Sequence, residues 1–390
     1  MEMKQIATVL NTIAGEMFGK TDLVKDDLQG IVDLGTAVFD NNATDPYTKA
    51  LMNQVGRVIF VNRRYNLQTP SVRMDGWRYG SVMQKISTDI PEAVENKSWE
   101  LTNGQSYDPN IFTKPAAYQK FWNSRTTYEI DRSITDIQVR QSFRSAQDMQ
   151  SFFGMLEMAV TNAMTANMQA LILRTINNMT AKTLWEEYKN VGETAIEGLD
   201  TKSGVRAINL LFLYKQIAPT STLTPETCVT DPEFIRFAAY TMGHMADRLT
   251  SMTQLYNIGG QKRFTPREDL LFITLSRFQR AADVYLQSDT YHNEFTRLPN
   301  AEVIPFWQGS KANSFVGDGD IHVVTSDNHE VHASAIVGVM FDRDCLGVVN
   351  YEPRVTSNYN AKAEFTNLFY KQDCGYFNDT NEQFVVFFVA

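Results

Sequence analysis

Apolar residues after Met149 recur at steps of mostly three and four, the spacing that keeps one stripe of a helix apolar. The stripe contains Phe152, Phe153, Leu156, Val160, Ala163, Met164, Met168, Leu171, Ile172, Ile176 and Met179. The pattern predicts one long helix that begins at the capping box Ser145-Ala-Gln-Asp148 and fades near Gly192. With a rise of about 1.5 Å per residue, its roughly 35 residues would span roughly 50 Å. A helix of this length in a globular chain favours a scaffold role.

Six methionines lie along the same segment: Met149, Met155, Met158, Met164, Met168 and Met179. Because methionine is flexible and polarizable, they could form an adaptable binding face. A core-facing stripe is the plainer interpretation, and we favour it. Some of these side chains should still meet neighbours outside the helix.

Residues 66–127 have a different character, since Pro, Gly and Asn are frequent and no helical period survives. Aromatic residues are scattered through the segment, which makes it too apolar for disorder. We expect an extended, hairpin-like arm. Exposed aromatics on a long arm usually need a partner surface to cover them. The candidate contact residues are Trp77, Trp99, Tyr107, Phe112, Phe121 and Trp122.

The first 50 residues predict short helices and loops, followed by a weak helix over 47–57 and a buried strand at Val58–Val61. Residues 196–334 predict a separate α/β block. Its signals are the helix start Thr230-Asp-Pro-Glu233, a strand at Leu270–Ile273, a helix at Ser276–Gln287 and a strand-then-turn at Val303–Gly309.

From Ala335 onward the sequence becomes rich in strand patterns. The predicted strands are Ala335–Phe341, Leu346–Asn350 and Gln383–Ala390, with a turn at Asp342-Arg-Asp344. The run Phe384-Val-Val-Phe-Phe-Val389 is continuously apolar. We therefore expect the final strand to be locked inside a sheet.

Composition narrows the class of protein. The chain has 390 residues, of which 43% are hydrophobic, and a net charge of −9. An acidic chain without a basic block is a poor candidate for direct nucleic-acid binding. Three widely spaced cysteines favour a reducing compartment. Because there is no secretory signal and no run of about 18 apolar residues, we expect a soluble protein made in the cytosol.

The best metal candidate is the set His322, His329, His332 and Glu330, because imidazole and carboxylate bind zinc. Asp327-Asn328, however, predicts a hairpin turn directly before this set, and His329 and His332 would then face opposite sides of a strand. We therefore favour polar residues on a solvated hairpin.

Two other candidate sites have simpler explanations. Gly317-Asp-Gly-Asp320 resembles part of a calcium loop but lacks the remaining ligands, so turn chemistry explains it better. Cys228 and His244 could form a nucleophile pair, but a structural cysteine is the favoured interpretation. No nucleotide-binding or nucleophile-elbow motif occurs. The sequence thus predicts a protein that is not an enzyme and needs no cofactor.

The order of parts is specific: an N-terminal arm, an aromatic-bearing excursion, a long helix, an α/β block and a return to strands. The chain resembles the major capsid protein of tailed double-stranded DNA phages, with the Hong Kong 97-type fold, and most of all the major head protein of phi-29-type short-tailed phages. The resemblance lies in residues 47–61, 143–179 and 303–390, including Val303-Ile-Pro-Phe-Trp307 and Val337-Gly-Val-Met-Phe-Asp-Arg-Asp-Cys-Leu-Gly347.

The resemblance implies an α+β, Hong Kong 97-like capsid fold. Residues 1–65 would form the N-terminal arm and 66–128 the extended E-loop. Residues 129–195 and 335–390 would form the peripheral domain with its long spine helix, and 196–334 the axial domain. The implied function is a shell of hexamers and pentamers, icosahedral or prolate, that encloses double-stranded DNA without sequence-specific binding.

The implied partners are further copies of the chain, a portal protein and a scaffolding protein, and no membrane. The implied location is the virion capsid, after synthesis and assembly in the bacterial host cytoplasm. Two alternatives stay open from the sequence. One is the shell subunit of a cellular encapsulin-type nanocompartment on the same fold. The more remote one is a metal-dependent enzyme built on His322, His329 and His332.

Overall fold

The computed structural model describes residues 67–74, 82–96, 98–107, 109–110, 112, 114–135, 146–189, 196, 198–287, 301–308, 313–350 and 353–390. The predictions for residues 1–65, for Trp77 and for the Ser145 capping box lie outside these ranges. Five α-helices occur in the described ranges: α1 Ala146–Tyr188, α2 Leu210–Ile217, α3 Pro232–Leu249, α4 Ser276–Gln287 and α5 Phe315–Asp318.

Fourteen strands accompany the helices in the same ranges. They are β1 Arg73–Met74, β2 Met83–Thr88, β3 Ala117–Trp122, β4 Arg125–Thr135, β5 Ala207–Asn209, β6 Leu270–Leu275, β7 Glu302–Ile304, β8 Ile321–Val324, β9 Glu330–Ala333, β10 Ile336–Asp342, β11 Leu346–Asn350, β12 Arg354–Asn360, β13 Phe365–Asn378 and β14 Phe384–Phe388. The molecule therefore mixes helices with sheets, as the α+β expectation requires.

The predicted long helix is confirmed as α1, and it is longer than expected. It has 43 residues, or about 65 Å at the usual helical rise. From Leu171 onward almost every side chain is buried, including Ile172 and Ile176 at 0% exposure. A helix segment that is buried on nearly all sides lies inside the core, and here it takes several polar side chains with it, such as Thr175 and Thr183. This burial explains why the helix runs past the predicted stripe.

The methionine stripe is core-facing where its side chains are described toward the middle and end of α1. Met164, Met168 and Met179 are buried. Met158, nearer the start of the helix, is 46% exposed. The favoured interpretation is thus confirmed for the three buried methionines, and Met158 remains free for an external neighbour.

One five-stranded sheet has the order β5-β14-β10-β6-β7. β14 pairs antiparallel with β10 and parallel with β5, so the apolar run lies inside the sheet, as predicted. β6 and β10 also pair, from Thr274↔Gly338 to Leu270↔Asp342. Strands from 196–334 therefore share one hydrogen-bonded sheet with strands from 335–390. The predicted division at residue 335 is not a division between sheets.

A second sheet is organised around β13, which has 14 residues. β13 pairs with β4 along one edge, and with β12 and β11 along the other, while β1 pairs parallel with β11. Helix α1 packs against β11 and β13. The turn that follows β13, residues 379–383, brings the chain directly into β14.

The local helix signals are confirmed. The Asp231 carboxylate accepts a hydrogen bond from Phe234 N at 2.8 Å, and Pro232 occupies the first turn of α3. α4 has the predicted bounds. The strand predicted at Leu270–Ile273 extends to Leu275. No helix within the described ranges is long and apolar enough to cross a bilayer.

Candidate subunit-contact surface

The predicted arm is an antiparallel hairpin of β2 and β3, paired from Met83↔Trp122 to Thr88↔Ala117. Between the strands, the described residues 89–96, 98–107 and 114–116 form turns and extended segments without a helix or strand. We call β2 and β3 the arm hairpin and residues 89–116 the arm tip. The prediction of a hairpin-like excursion is confirmed.

The arm hairpin has two chemically different faces, because side chains alternate along each strand. Lys85, Lys120 and Trp122 point toward the body and are partly buried. On the opposite face, Ile86 is 65% exposed and Phe121 is 60% exposed. The face turned away from the body therefore leaves two large apolar side chains in solvent.

Two lysines fasten the inner face to the body. Lys85 Nζ lies 3.1 Å from Asp379 Oδ2, and Lys120 Nζ lies 2.7 Å from Asp379 Oδ1. Lys85 also contacts Glu382 Oε1 at 2.8 Å. The Asp379 side chain is only 3% exposed. Since a buried carboxylate must be paired, this cluster sets where the arm leaves the body.

Protonation follows from this pairing. Burial by itself raises the pKa of Asp379, but hydrogen bonds and charges from Lys120, Asn381 N–H and Lys85 outweigh it and lower the pKa below the usual value. Burial likewise lowers the pKa of Lys85, but Glu382 and Asp379 outweigh that effect and raise it. The lowered pKa of Asp379 and the raised pKa of Lys85 both favour the ionised form of this pair at neutral pH.

Trp122 secures the same root through packing. Its Nε1 donates to Asn378 O at 3.2 Å, and its ring lies 5.3 Å from the Phe377 ring. Phe121, the preceding residue, points the other way. Of the predicted contact residues, Trp122 thus serves its own subunit, and Phe121 is open to a neighbour.

The arm tip exposes most of its apolar side chains. Exposure is 88% for Val94, 95% for Trp99, 65% for Leu101 and 84% for Phe112. Tyr107 is 53% exposed, and its hydroxyl accepts a hydrogen bond from Thr102 N at 3.2 Å. Large apolar groups exposed together on one segment are typical of interaction surfaces. Of the six predicted residues, Trp99, Tyr107, Phe112 and Phe121 form this open set.

A buried acid lies next to the root of the arm. Thr265 Oγ1 is 2.8 Å from Asp342 Oδ2 and 2.7 Å from Gln383 Oε1. Gln383 Nε2 donates to Arg263 O, which fixes the amide orientation. Thr265 Oγ1 is the donor to Asp342, with Gln383 Oε1 as an alternative acceptor for the same hydroxyl proton. Burial raises the pKa of Asp342 and outweighs the hydrogen bonds from Asp344 N and Thr265, which lower it.

The histidine candidates lie on the β8–β9 hairpin. His322 and His332 are directly opposite each other on its exposed face, with Nε2 atoms 2.6 Å from Glu330 and 3.2 Å from Asp320 respectively. His329 instead stacks on Trp185 with ring centroids 3.9 Å apart. The three histidines do not converge, as the hairpin interpretation predicted. Across the described ranges, no group of three metal-ligating side chains is placed to hold an ion.

The remaining chemical candidates are structural in their geometry. Gly317-Asp318 closes the short helix α5, and Gly319 caps it. Cys228 is fully buried, and burial raises its pKa to about 12, so its thiol is not activated. His244 is exposed and stacks on Tyr240. Cys228 and His244 therefore do not form a nucleophile pair.

The ionic cluster at the base of the arm hairpin, the charged root, could not be predicted from the sequence. Lys85, Lys120, Asp379 and Glu382 carry no local signal, because each lies in an ordinary polar stretch and the partners are hundreds of positions apart.

Comparison with known proteins decides the family. The sequence matches the model of the Phi29-like phage major capsid protein over residues 8–388. The chain belongs to this family. It is a major head protein of a phage, and its place is in the virion. The resemblance seen in the sequence is confirmed, and the nanocompartment and metal-enzyme alternatives are not favoured.

Solved structures similar to the head protein include phage capsids. One is the capsid structure of Staphylococcus phage Andhra, with 8% identity, a TM-score of 0.47 and 84% of each chain covered. Another is the capsid structure of the cyanophage P-SCSP1u, with 12% identity, a TM-score of 0.45, and 84% of this chain and 89% of that chain covered. Among curated proteins, none matches the sequence significantly.

Proposed function

We propose that this head protein assembles into hexamers and pentamers of an icosahedral or prolate shell around double-stranded DNA, with no catalytic step. In this proposal residues 1–65 are the N-terminal arm and 66–128 the E-loop of a Hong Kong 97-type fold. α1 is the spine helix of a peripheral domain formed by 129–195 and 335–390. Residues 196–334 form the axial domain, to which β10 and β14 add the strands that complete its sheet.

One observation carries the proposal. The arm hairpin is ionically fastened to its own body on one face, while its other face and its tip expose Ile86, Phe121, Trp99 and Phe112. Burying one such side chain contributes about 1.5–3 kcal/mol. A set of this size is expensive to leave in water, and neighbouring copies of the chain can cover it.

The charge of the chain fits the proposed contents. With a net charge of −9, the subunit is expected to bind the phosphates of DNA only weakly. A wall that does not hold the genome tightly can release it. We further propose that the shell joins a portal protein and forms with a scaffolding protein in the bacterial host cytoplasm.

The test is removal of the arm tip. Replacing residues 90–115 by a short Gly-Ser link joins β2 to β3 and leaves the charged root in place. Circular dichroism should show a folded subunit, and sedimentation and electron microscopy should show no shells. Unfolding of the shortened chain would mean that the arm tip belongs to the subunit core and would overturn the proposal.

A second variant keeps the length of the arm. Changing Val94, Trp99, Leu101, Tyr107 and Phe112 to serine removes the apolar groups alone. This variant should also remain monomeric, because the covering interaction is lost. Shells formed as readily as by the unaltered chain would show that the apolar tip does not drive assembly.

A further inference from the structure

We propose that the arm tip of one subunit packs against residues 250–267 of a neighbouring copy. We call this segment the body loop. The inference rests on the proposed function and adds to it a receiving surface. The arm tip exposes apolar side chains, and burying them requires a second surface that is also apolar and opposite in charge. The body loop offers such a surface.

Three apolar side chains of the body loop are open to solvent. Met252 is 53% exposed, Leu255 is 56% exposed and Phe264 is 48% exposed. Backbone hydrogen bonds of 3.0 Å in both directions pair Thr253 with Arg263. In an antiparallel pair the flanking residues face each other, so Met252 and Phe264 lie side by side on one face. The result is a small apolar platform.

The charges of the two surfaces are complementary. The arm tip has five acidic residues and two basic ones: Asp89, Glu92, Glu95, Glu100 and Asp108 against Lys97 and Lys114. The body loop has three basic residues, Lys262, Arg263 and Arg267, and no acidic residue. An acidic, aromatic tip therefore matches a basic, apolar loop in both charge and hydrophobicity.

The molecule already makes one contact of this kind. Glu92 of the arm tip pairs with Lys262 of the body loop within the same subunit. Arg267 pairs with exposed Asp247, and Arg263 with Glu382 at 3.5 Å. The pairs of Lys262 and Arg267 include carboxylates that are 76% and 62% exposed. Such solvent-exposed pairs exchange readily for others.

A single subunit does not bring the two apolar surfaces together. The Trp99 side chain is 95% exposed, and the Leu255 side chain is 56% exposed. Beyond Glu92 the chain can extend about 24 Å over seven residues before Trp99. Within one subunit both apolar surfaces stay open to solvent, and an identical body loop on the next copy offers the arm tip a matching acceptor.

The test is cross-linking between two variants of the full chain. Ser98→Cys marks the arm tip, and Gln254→Cys marks the exposed side of the body loop. The three native cysteines are buried, so a short bismaleimide reacts at the introduced thiols. Co-assembled chains should give a covalent dimer at about twice the 44.3 kDa chain mass.

The matched control replaces Gln254→Cys by Gln216→Cys, an exposed glutamine at the end of α2. Ser98→Cys paired with Gln216→Cys should give no dimer. Shells that form normally but cross-link through residue 216 and not through residue 254 would overturn the landing site and leave the proposed function intact. Failure of the unaltered chains to form shells would overturn both.

A second measurement does not depend on cysteine reactivity. Leu255→Glu places an acidic group among the exposed apolar side chains of the body loop and should reduce shell formation, because it repels the acidic tip. Ile217→Glu, at a position 71% exposed on α2, is the control and should assemble normally. The proposal would be contradicted if Ile217→Glu reduced shell formation and Leu255→Glu did not. It would also be contradicted if a decoration protein, and not the arm tip, covered Leu255 in assembled shells.

Discussion

Lys85 and Lys120 lie directly opposite each other on the inner face of the arm hairpin. Like charges in a directly opposite pair normally repel and destabilise the hairpin. Here a carboxylate oxygen of Asp379 faces each ammonium group, at 3.1 Å and 2.7 Å. The hairpin root is therefore stable only when the body supplies this acid, and arm position is coupled to body folding.

Asp379→Asn should destabilise the subunit, because the amide cannot balance two ammonium groups. We expect a loss of about 1–3 kcal/mol in the free energy of unfolding, measured by urea titration. Glu129→Gln is the control, since the exposed pair of Glu129 with Lys371 is worth at most about 1 kcal/mol. Equal losses in the two variants would contradict a buried ionic root.

Asp342 should make the stability of the subunit fall as the pH rises. Its pKa is raised on folding, chiefly by burial. Its contribution is fully present below the unfolded value of about 4 and is lost as the pH passes through the folded pKa. Asp342→Asn keeps a donor for Thr265 and does not titrate, so its advantage over the unaltered protein should grow with pH. Asp327→Asn, which removes an exposed carboxylate in the β8–β9 turn, is the matched control for the loss of one negative charge. A constant difference between Asp342→Asn and the unaltered protein across that range would refute a raised pKa for Asp342.

Adjacent aromatics in β3 should give opposite results. Trp122→Ala removes packing on Phe377 and a hydrogen bond, and should lower the free energy of unfolding by about 2–3 kcal/mol. Phe121→Ala, at an exposed position, should change it by no more than about 0.5 kcal/mol and reduce shell formation instead. Urea unfolding and sedimentation separate the two effects. The alternation of faces would be wrong if Phe121→Ala were the destabilising change.

Ala163→Pro should break α1. Proline removes a backbone donor and clashes with the preceding turn, at a cost of about 3 kcal/mol or more. Ala163→Gly at the same position keeps the donor and costs about 1 kcal/mol. We expect insoluble protein for the first variant and soluble protein for the second. A soluble, assembling proline variant would argue against a continuous helix at this point.

The native thiols should be inert. Cys228, Cys345 and Cys374 are buried, and burial raises the pKa of Cys228 and Cys374 to about 12. A chromogenic disulfide reagent at neutral pH should label none of the three in the folded subunit and all three in urea. Rapid labelling of the native chain would indicate that one of these cysteines opens to solvent.

Periodic features were predictable, because local spacing dictates them. The stripe along α1, the Asp231 cap of α3 and the apolar run of β14 each act within a few residues. Gln169 was not predictable in the same way. It interrupts the apolar pattern, yet it is buried because its Oε1 accepts from Gln68 N at 3.1 Å, across about a hundred positions of chain.

The sequence predicted which segment carries the contact surface, but not which of its side chains face solvent and which face the body. Aromatic content pointed to the arm, and four of the predicted residues are exposed. Pattern alone could not separate Phe121 from Trp122, because the deciding contact with Phe377 comes from a distant strand. The body loop carries its apolar residues in a segment without period, so only the Thr253–Arg263 pairing shows that they meet.

The position of β14 has a consequence for synthesis. It fills the place between β5 and β10, both of which leave the ribosome earlier. Until the codons for β14 have been translated, the sheet holds a gap and the turn bearing Asp379 cannot be in place. A nascent polypeptide that does not yet contain β14 therefore has no anchored arm to offer its neighbours, and competence to join a shell follows the insertion of β14 into the sheet.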